Sequence, residues 1–135
     1  MKKLLSLTLA ALLVLSLTGC GRISGNVLIT NEASDIYQVE EIEAAMDVVQ
    51  RYFHRHFDGC TMTELGYIGD EKWADMEDYA TEYSVDQAIV LTSTFETDRR
   101  GGDGSLNANE TYRNWKWILI RDLGGEWSHA DHGYG

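Results

Sequence analysis

The chain predicts an α+β fold: a long N-terminal helix packed on a curved antiparallel sheet, with a second, short helix beside it. Apolar residues recur at three- and four-residue intervals from Ile36 to Phe57, and β-branched and aromatic residues alternate through the last third of the chain. Glycine-rich runs break that last third into hairpins. With 44% hydrophobic and 24% charged residues among 135, the composition is that of one globular domain rather than a disordered chain.

The first helix is expected from Ser34-Asp35, which offer an N-cap, to about Phe57. Ile36, Val39, Ile42, Ala45, Met46, Val49, Phe53 and Phe57 form its apolar stripe. Glu40, Glu41 and Glu43 suit the positive end of the helix dipole, and Arg51, His54 and Arg55 its negative end. Asp58-Gly59 stops the helix, because glycine readily takes the left-handed conformation that ends many helices.

Alternation from Cys60 to Tyr67 predicts a short strand, and Trp73, Met76, Tyr79, Ala80 and Tyr83 predict a second helix over 70–83. Strands follow at Gln87–Glu96, Thr111–Arg121 and Glu126–Tyr134, separated by a hairpin loop from Asp98 to Glu110 and a two-residue turn at Gly124-Gly125. Such a turn pairs Leu119 with Ala130, Trp117 with His132 and Trp115 with Tyr134. One face then carries Trp115, Trp117, His132 and Tyr134, and the other Lys116, Ile118, Ile120, Trp127, His129 and Asp131.

The N-terminus follows a different logic. Met1-Lys2-Lys3 is a basic start, and Leu4 to Leu17 is apolar and uncharged, yet shorter than the roughly 20 residues that a spanning helix needs. It ends in Leu17-Thr18-Gly19-Cys20, which resembles the bacterial lipobox. That resemblance implies cleavage after Gly19 and a diacylglyceryl thioether on Cys20, and acylation with two or three chains anchors a protein stably. The expected organisation is a signal peptide over 1–19, a lipidated Cys20 with a tether to residue 33, and one domain over 34–135. An extracytoplasmic, membrane-held location follows. Once Cys20 carries lipid, Cys60 has no disulfide partner in the chain, and its surroundings suit a small buried apolar residue.

Eleven Lys and Arg, two of them Lys2 and Lys3, stand against 22 Asp and Glu. This balance argues against nucleic acid as a partner and against surface adhesion to anionic headgroups, since both draw their affinity from basic residues.

The order helix, strand, helix, three strands matches the cystatin-like and NTF2-like group of folds. Gly59-Cys60-Thr61-Met62-Thr63-Glu64-Leu65, Gly101-Gly102-Asp103-Gly104-Ser105-Leu106-Asn107, Trp115-Lys116-Trp117-Ile118-Leu119-Ile120-Arg121 and Trp127-Ser128-His129-Ala130-Asp131-His132-Gly133-Tyr134 resemble the blocks of a family of small, uncharacterised bacterial lipoproteins classed as a domain of unknown function. The resemblance spans nearly all of the chain beyond the signal and implies an NTF2-like fold, with no activity, substrate or catalytic residue attached.

Candidate chemistry is sparse. Asp103, Asn107 and Asn109 lie in a glycine-rich loop without the spacing of a calcium-binding EF-hand. His54 and His56 are two apart and so point about 200° from each other on a helix, while His129 and His132 fall on opposite faces of a regular strand. No metal or cofactor is expected. His129 with Asp131 could form a base and its orienter, the arrangement of a small hydratase- or isomerase-like pocket enzyme. The plainer alternative is a polar patch in which Lys116 neighbours Asp131. The leading expectation is a noncatalytic, lipid-anchored domain that binds a small ligand, a peptide or an envelope protein through Trp115, Trp117, His132 and Tyr134.

Overall fold

Five strands, β1 (Arg22–Thr30), β2 (Cys60–Tyr67), β3 (Gln87–Thr97), β4 (Thr111–Arg121) and β5 (Ser128–Gly133), lie side by side in chain order in one sheet. The computed structural model describes residues 20–134 apart from Glu32, so the expected signal segment over 1–19 lies outside the described residues. Two helices complete the α+β fold: α1 (Val39–His56) and α2 (Trp73–Glu82), the latter entered through a 3-10 turn at Asp70–Lys72. β2, β3, β4 and β5 are joined antiparallel, whereas β1 runs parallel to β2. The sheet is therefore mixed, which corrects the antiparallel expectation.

The expected tether is in fact an edge strand. β1 pairs with β2 from Arg22↔Thr61 to Thr30↔Gly66, with an irregularity between Ile23 and Leu28. A parallel neighbour requires a long crossover, and α1 supplies it. A strand thus precedes the long helix, which is not the first element. Leu28 and Ile29 stay exposed, so β1 is held by its backbone ladder more than by burial.

The start of α1 also shifts. Ser34 closes a turn ahead of the helix: its Oγ accepts the N–H groups of Ile36 and Tyr37 at 3.1 and 2.9 Å and donates to Asp70 at 2.6 Å. Gln38 is the N-cap, and the Glu41 carboxylate accepts its backbone N–H at 3.0 Å. Arg121 ties this end to the sheet through an ion pair with Glu41, a 2.8 Å hydrogen bond to Gln87 and a guanidinium 4.1 Å above the Trp127 ring. At the far end Gly59, at φ +72°, turns the chain into β2 as expected.

The stripe of α1 packs on one face of the sheet. Ile42, Ala45, Met46, Val49 and Phe53 are buried against Leu91, Phe95, Trp117 and Leu119, each large side chain contributing about 1.5–3 kcal/mol on leaving water. The indole N–H of Trp117 is satisfied inside that core by Ser93 Oγ at 2.8 Å. Tyr37 wedges its ring edge-on among Tyr67, Trp73 and Trp127 and donates its hydroxyl to Ala88 O at 2.7 Å. Burial pushes its pKa up to about 12. The other sheet face is partly covered by α2, whose end sets Tyr79 and Tyr83 in a groove with Lys116, Ile118 and Asp131.

The last hairpin departs from the expected register. Trp117 does face His132 and Lys116 faces Gly133, but Leu119 faces His129 and Ile120 faces Ser128. The turn is wider than Gly124-Gly125, closing with the Gly125 N–H on Asp122 O at 2.9 Å. The mismatch is absorbed between Asp131 and His129, so Ala130 is the extra residue of a β-bulge.

Candidate functional site

That bulge decides which side chains meet. An inserted residue reverses the alternation of everything before it. His129 therefore turns from the face expected for it to the α1 face, where its ring stacks on Tyr52 at 3.8 Å and 14°. The expectation that His129 and His132 lie on opposite faces is wrong for the same reason: His129 Nε2 and His132 Nδ1 are 3.0 Å apart. One nitrogen of the pair donates and the other accepts, which fits neutral rings. Burial holds both imidazoles below their ordinary pKa, reinforced at His129 by the neighbouring His132 and opposed at both by Asp131.

His132 sits against Phe57, Trp115 and Trp117, with ring centroids 5.2, 5.9 and 5.1 Å away. Tyr52 carries His129 on one contact and His56 on another, the latter at 4.4 Å. Beside this cluster runs a groove of about 230 Å³ walled by Tyr52, His56, Phe57, Trp115 and His132 and closed by the β3–β4 loop at Asp103 and Leu106. Trp115 brings it a chemical demand. Its indole N–H is buried and finds no acceptor among the described residues.

The loop that closes the groove is built for close approach. Asp98 folds its carboxylate inward to accept the N–H groups of Arg100 and Gly102 at 2.9 and 3.1 Å, which hold its pKa below the usual range. Gly101, at φ +70°, lets the chain pass where a Cβ would come within 2.0 Å of Leu106 O.

The sequence-derived candidates separate as follows. Trp117 is fully buried and belongs to the core, Trp115 and His132 line the groove, and Tyr134 lies exposed against Tyr112 and Trp115, bordering instead the groove with Tyr83 and Lys116. Asp131 stays on the opposite face beside Lys116 and Tyr83, its carboxylate accepting the His132 backbone N–H at 2.8 Å. Among the described residues no hydrogen bond joins that carboxylate to an imidazole, so the base-and-orienter pair of His129 with Asp131 is not assembled. Tyr52, His56 and Phe57 complete the groove. The signal for two of them was the four-residue spacing of Tyr52 and His56, which puts both on one side of α1.

Cys60 is buried, and burial first, then Asp98, Asp103 and Asp58, push its thiol up to about 11. Among the described residues, no group of three or more His, Cys, Asp and Glu could hold a metal ion, and no helix is long and apolar enough to cross a membrane. Cys20 is half-buried on the rim of a broader groove of about 850 Å³ that it shares with Arg22, Asp58, Asp98 and Arg100. No family model, curated protein or solved structure matches the chain.

Proposed function

We propose that this chain is a lipid-anchored extracytoplasmic protein whose histidine-aromatic groove binds a small neutral ligand or one side chain of a peptide. The anchor reading rests on the basic start, the short apolar run and Leu17-Thr18-Gly19-Cys20. The cystatin-like or NTF2-like character of the domain is supported by the single long helix laid across one sheet face and by the meander of β2 to β5.

Ligand binding is carried by one observation: a ring-lined groove bordered by Trp115, whose buried indole N–H has no acceptor among the described residues. A carbonyl-bearing planar molecule would satisfy that donor and stack on Tyr52, Phe57 or Trp115. The volume of about 230 Å³ falls below the roughly 300–1,000 Å³ of sites for drug-sized ligands, which limits the occupant to a fragment-sized group. Asp58 and Asp103 on the wall disfavour an anion.

The anchor is tested by expressing the full chain in a bacterium and weighing the peptide that bears Cys20; a diacylated N-terminal cysteine is expected, and a free thiol with residues 1–19 retained overturns the reading. The groove is tested by thermal shift with benzamide. Stabilisation that Trp115→Phe abolishes is expected, because phenylalanine keeps a ring and removes the N–H, whereas equal response in both proteins rules the groove out.

A further inference from the structure

The α2 side of the sheet carries a second recess. It measures about 150 Å³, lies between the end of α2 and the last hairpin, and is walled by Tyr79, Glu82, Tyr83, Lys116, Asp131 and Tyr134. The walls are fixed by the backbone. The end of α2 is locked by the Tyr83 N–H on Tyr79 O and the Val85 N–H on Ala80 O, both at 3.0 Å, with Ser84 left-handed at φ +56°. Four residues apart, Tyr79 and Tyr83 share one side of that end. On the sheet, Ile118 faces Asp131 and Lys116 faces Gly133, so Lys116 and Asp131 are diagonal neighbours on one face. Gly133 sets no side chain opposite Lys116, and a Cβ there would meet nothing within 4 Å, so the recess stays open at that position.

Charges of both signs converge here without meeting. Among the described residues neither Lys116 nor Glu82 makes an ion pair, and Asp131 accepts only the His132 backbone N–H, at 2.8 Å. Burial first, then Asp131, Glu82 and Tyr79, raise the Tyr83 pKa, so both carboxylates stand within electrostatic reach of that hydroxyl. Asp86 and Asp122, the acids on the adjoining turns, are engaged by the fold: Asp86 accepts the Leu123 N–H at 2.8 Å and Asp122 the Asp86 N–H at 3.3 Å. A simple cation drawn to Glu82 and Asp131 would meet Lys116, and a simple anion drawn to Lys116 would meet two carboxylates. A molecule carrying both charges gives all three groups a partner. At about 30 Å³ per water, the recess holds about five waters, which sets its occupant at about five to eight heavy atoms.

We propose that this recess binds a small zwitterion of the amino-acid or betaine class, its ammonium between Tyr79 and Tyr83 beside Glu82 and Asp131, its carboxylate on Lys116. Tyrosine faces attract a cation through the ring quadrupole, and a quaternary ammonium most of all because it gives up little hydration. The Lys116 ammonium offers three donors to the carboxylate. Tyr79, Tyr83 and Lys116 are half-buried while Glu82, Asp131 and Tyr134 are exposed, so water screens the ion pairs and affinity is on the order of millimolar. The site is separate from the one bordered by Trp115 and does not depend on the anchor reading.

Amide NMR shifts of the full chain in a nonionic detergent are followed at pH 7 while glycine betaine, glycine, choline or acetate is added to 50 mM. Saturable shifts at 79–83, 116–118 and 131–134 are expected with at least one zwitterion, and choline and acetate should bind about fivefold more weakly. Betaine ahead of glycine identifies the quaternary-ammonium class, and the reverse order free amino acids. Lys116→Met should weaken the zwitterion about fivefold and strengthen choline, because it removes the partner of one charge and the repulsion of the other. Glu82→Gln/Asp131→Asn should weaken both. No saturable shift by 50 mM overturns the proposal, as does equal affinity for betaine and choline or unchanged affinity in both variants. Shifts confined to 52–57 and 102–106 would place binding in the histidine-aromatic groove and also overturn it.

Discussion

His129 Nε2 lies 3.0 Å from His132 Nδ1, three residues along a strand whose regular alternation would set the two rings on opposite faces. Only one proton fits comfortably between them, and both rings are partly buried among Tyr52, Phe57 and Trp117. Protonating the pair is costly.

Stability is therefore expected to fall on mild acidification. Both imidazoles have folded-state pKa values below the unfolded value of about 6.5, so the stability they lend is complete above that pH and is lost as pH drops through it toward the folded values. Carboxylates such as Asp98 and Asp70, held below their usual range, keep their contribution through this window and lose it only at lower pH, below about 4. Thermal unfolding between pH 7.5 and 5 should show the decline, and His129→Gln/His132→Gln should flatten it. An unchanged slope in the double variant would assign the decline to other groups.

Deleting Ala130 removes the bulge residue. The strand should regain plain alternation, sending His129 to the face of Lys116 and breaking its stack on Tyr52. Proton NMR titration should then find two independent imidazoles, with His129 closer to the ordinary value. Coupled titration persisting in the deletion variant would mean the contact does not depend on the bulge.

The Trp117–Ser93 hydrogen bond separates packing from polar satisfaction in the core. Trp117→Ala should cost about 3–5 kcal/mol by emptying the space between α1 and the sheet. Ser93→Ala leaves the buried indole N–H unpaired and should cost about 1–3 kcal/mol despite its small volume change. Urea unfolding measures both.

Gly21 is where the N-terminal end meets the helix. A Cβ there would lie 2.1 Å from Phe53 O and 2.9 Å from Phe57 O, so Gly21→Val must displace the chain and should cost about 1–3 kcal/mol. Faster hydrogen exchange at Arg22 and Ile23, without change in β4, would locate the effect.

Much of the fold was legible in residue patterns. Cys60–Tyr67 and Thr111–Arg121 were found to the residue because strand-forming residues run between turn-forming ones in both, and α1 because its stripe has helical period. β1 escaped because Gly25 and Asn26 interrupt it and its Leu28 and Ile29 are not buried, so the pattern of a strand packed on a core is missing. The groove was legible only in part. Trp115 and His132 followed from the hairpin, but the His129–His132 contact depends on where one extra residue is accommodated, and hydrophobic alternation says little about that when Trp127, His129 and His132 are amphipathic enough for either face.

Parallel pairing of β1 with β2 also constrains the order of assembly. Among the described residues Arg22 is the first strand residue to leave the ribosome, yet its partner Thr61 follows only after the whole crossover helix, whereas β3, β4 and β5 need only their adjoining loops. The first strand made must wait, unpaired, until Cys60–Tyr67 arrives beside it.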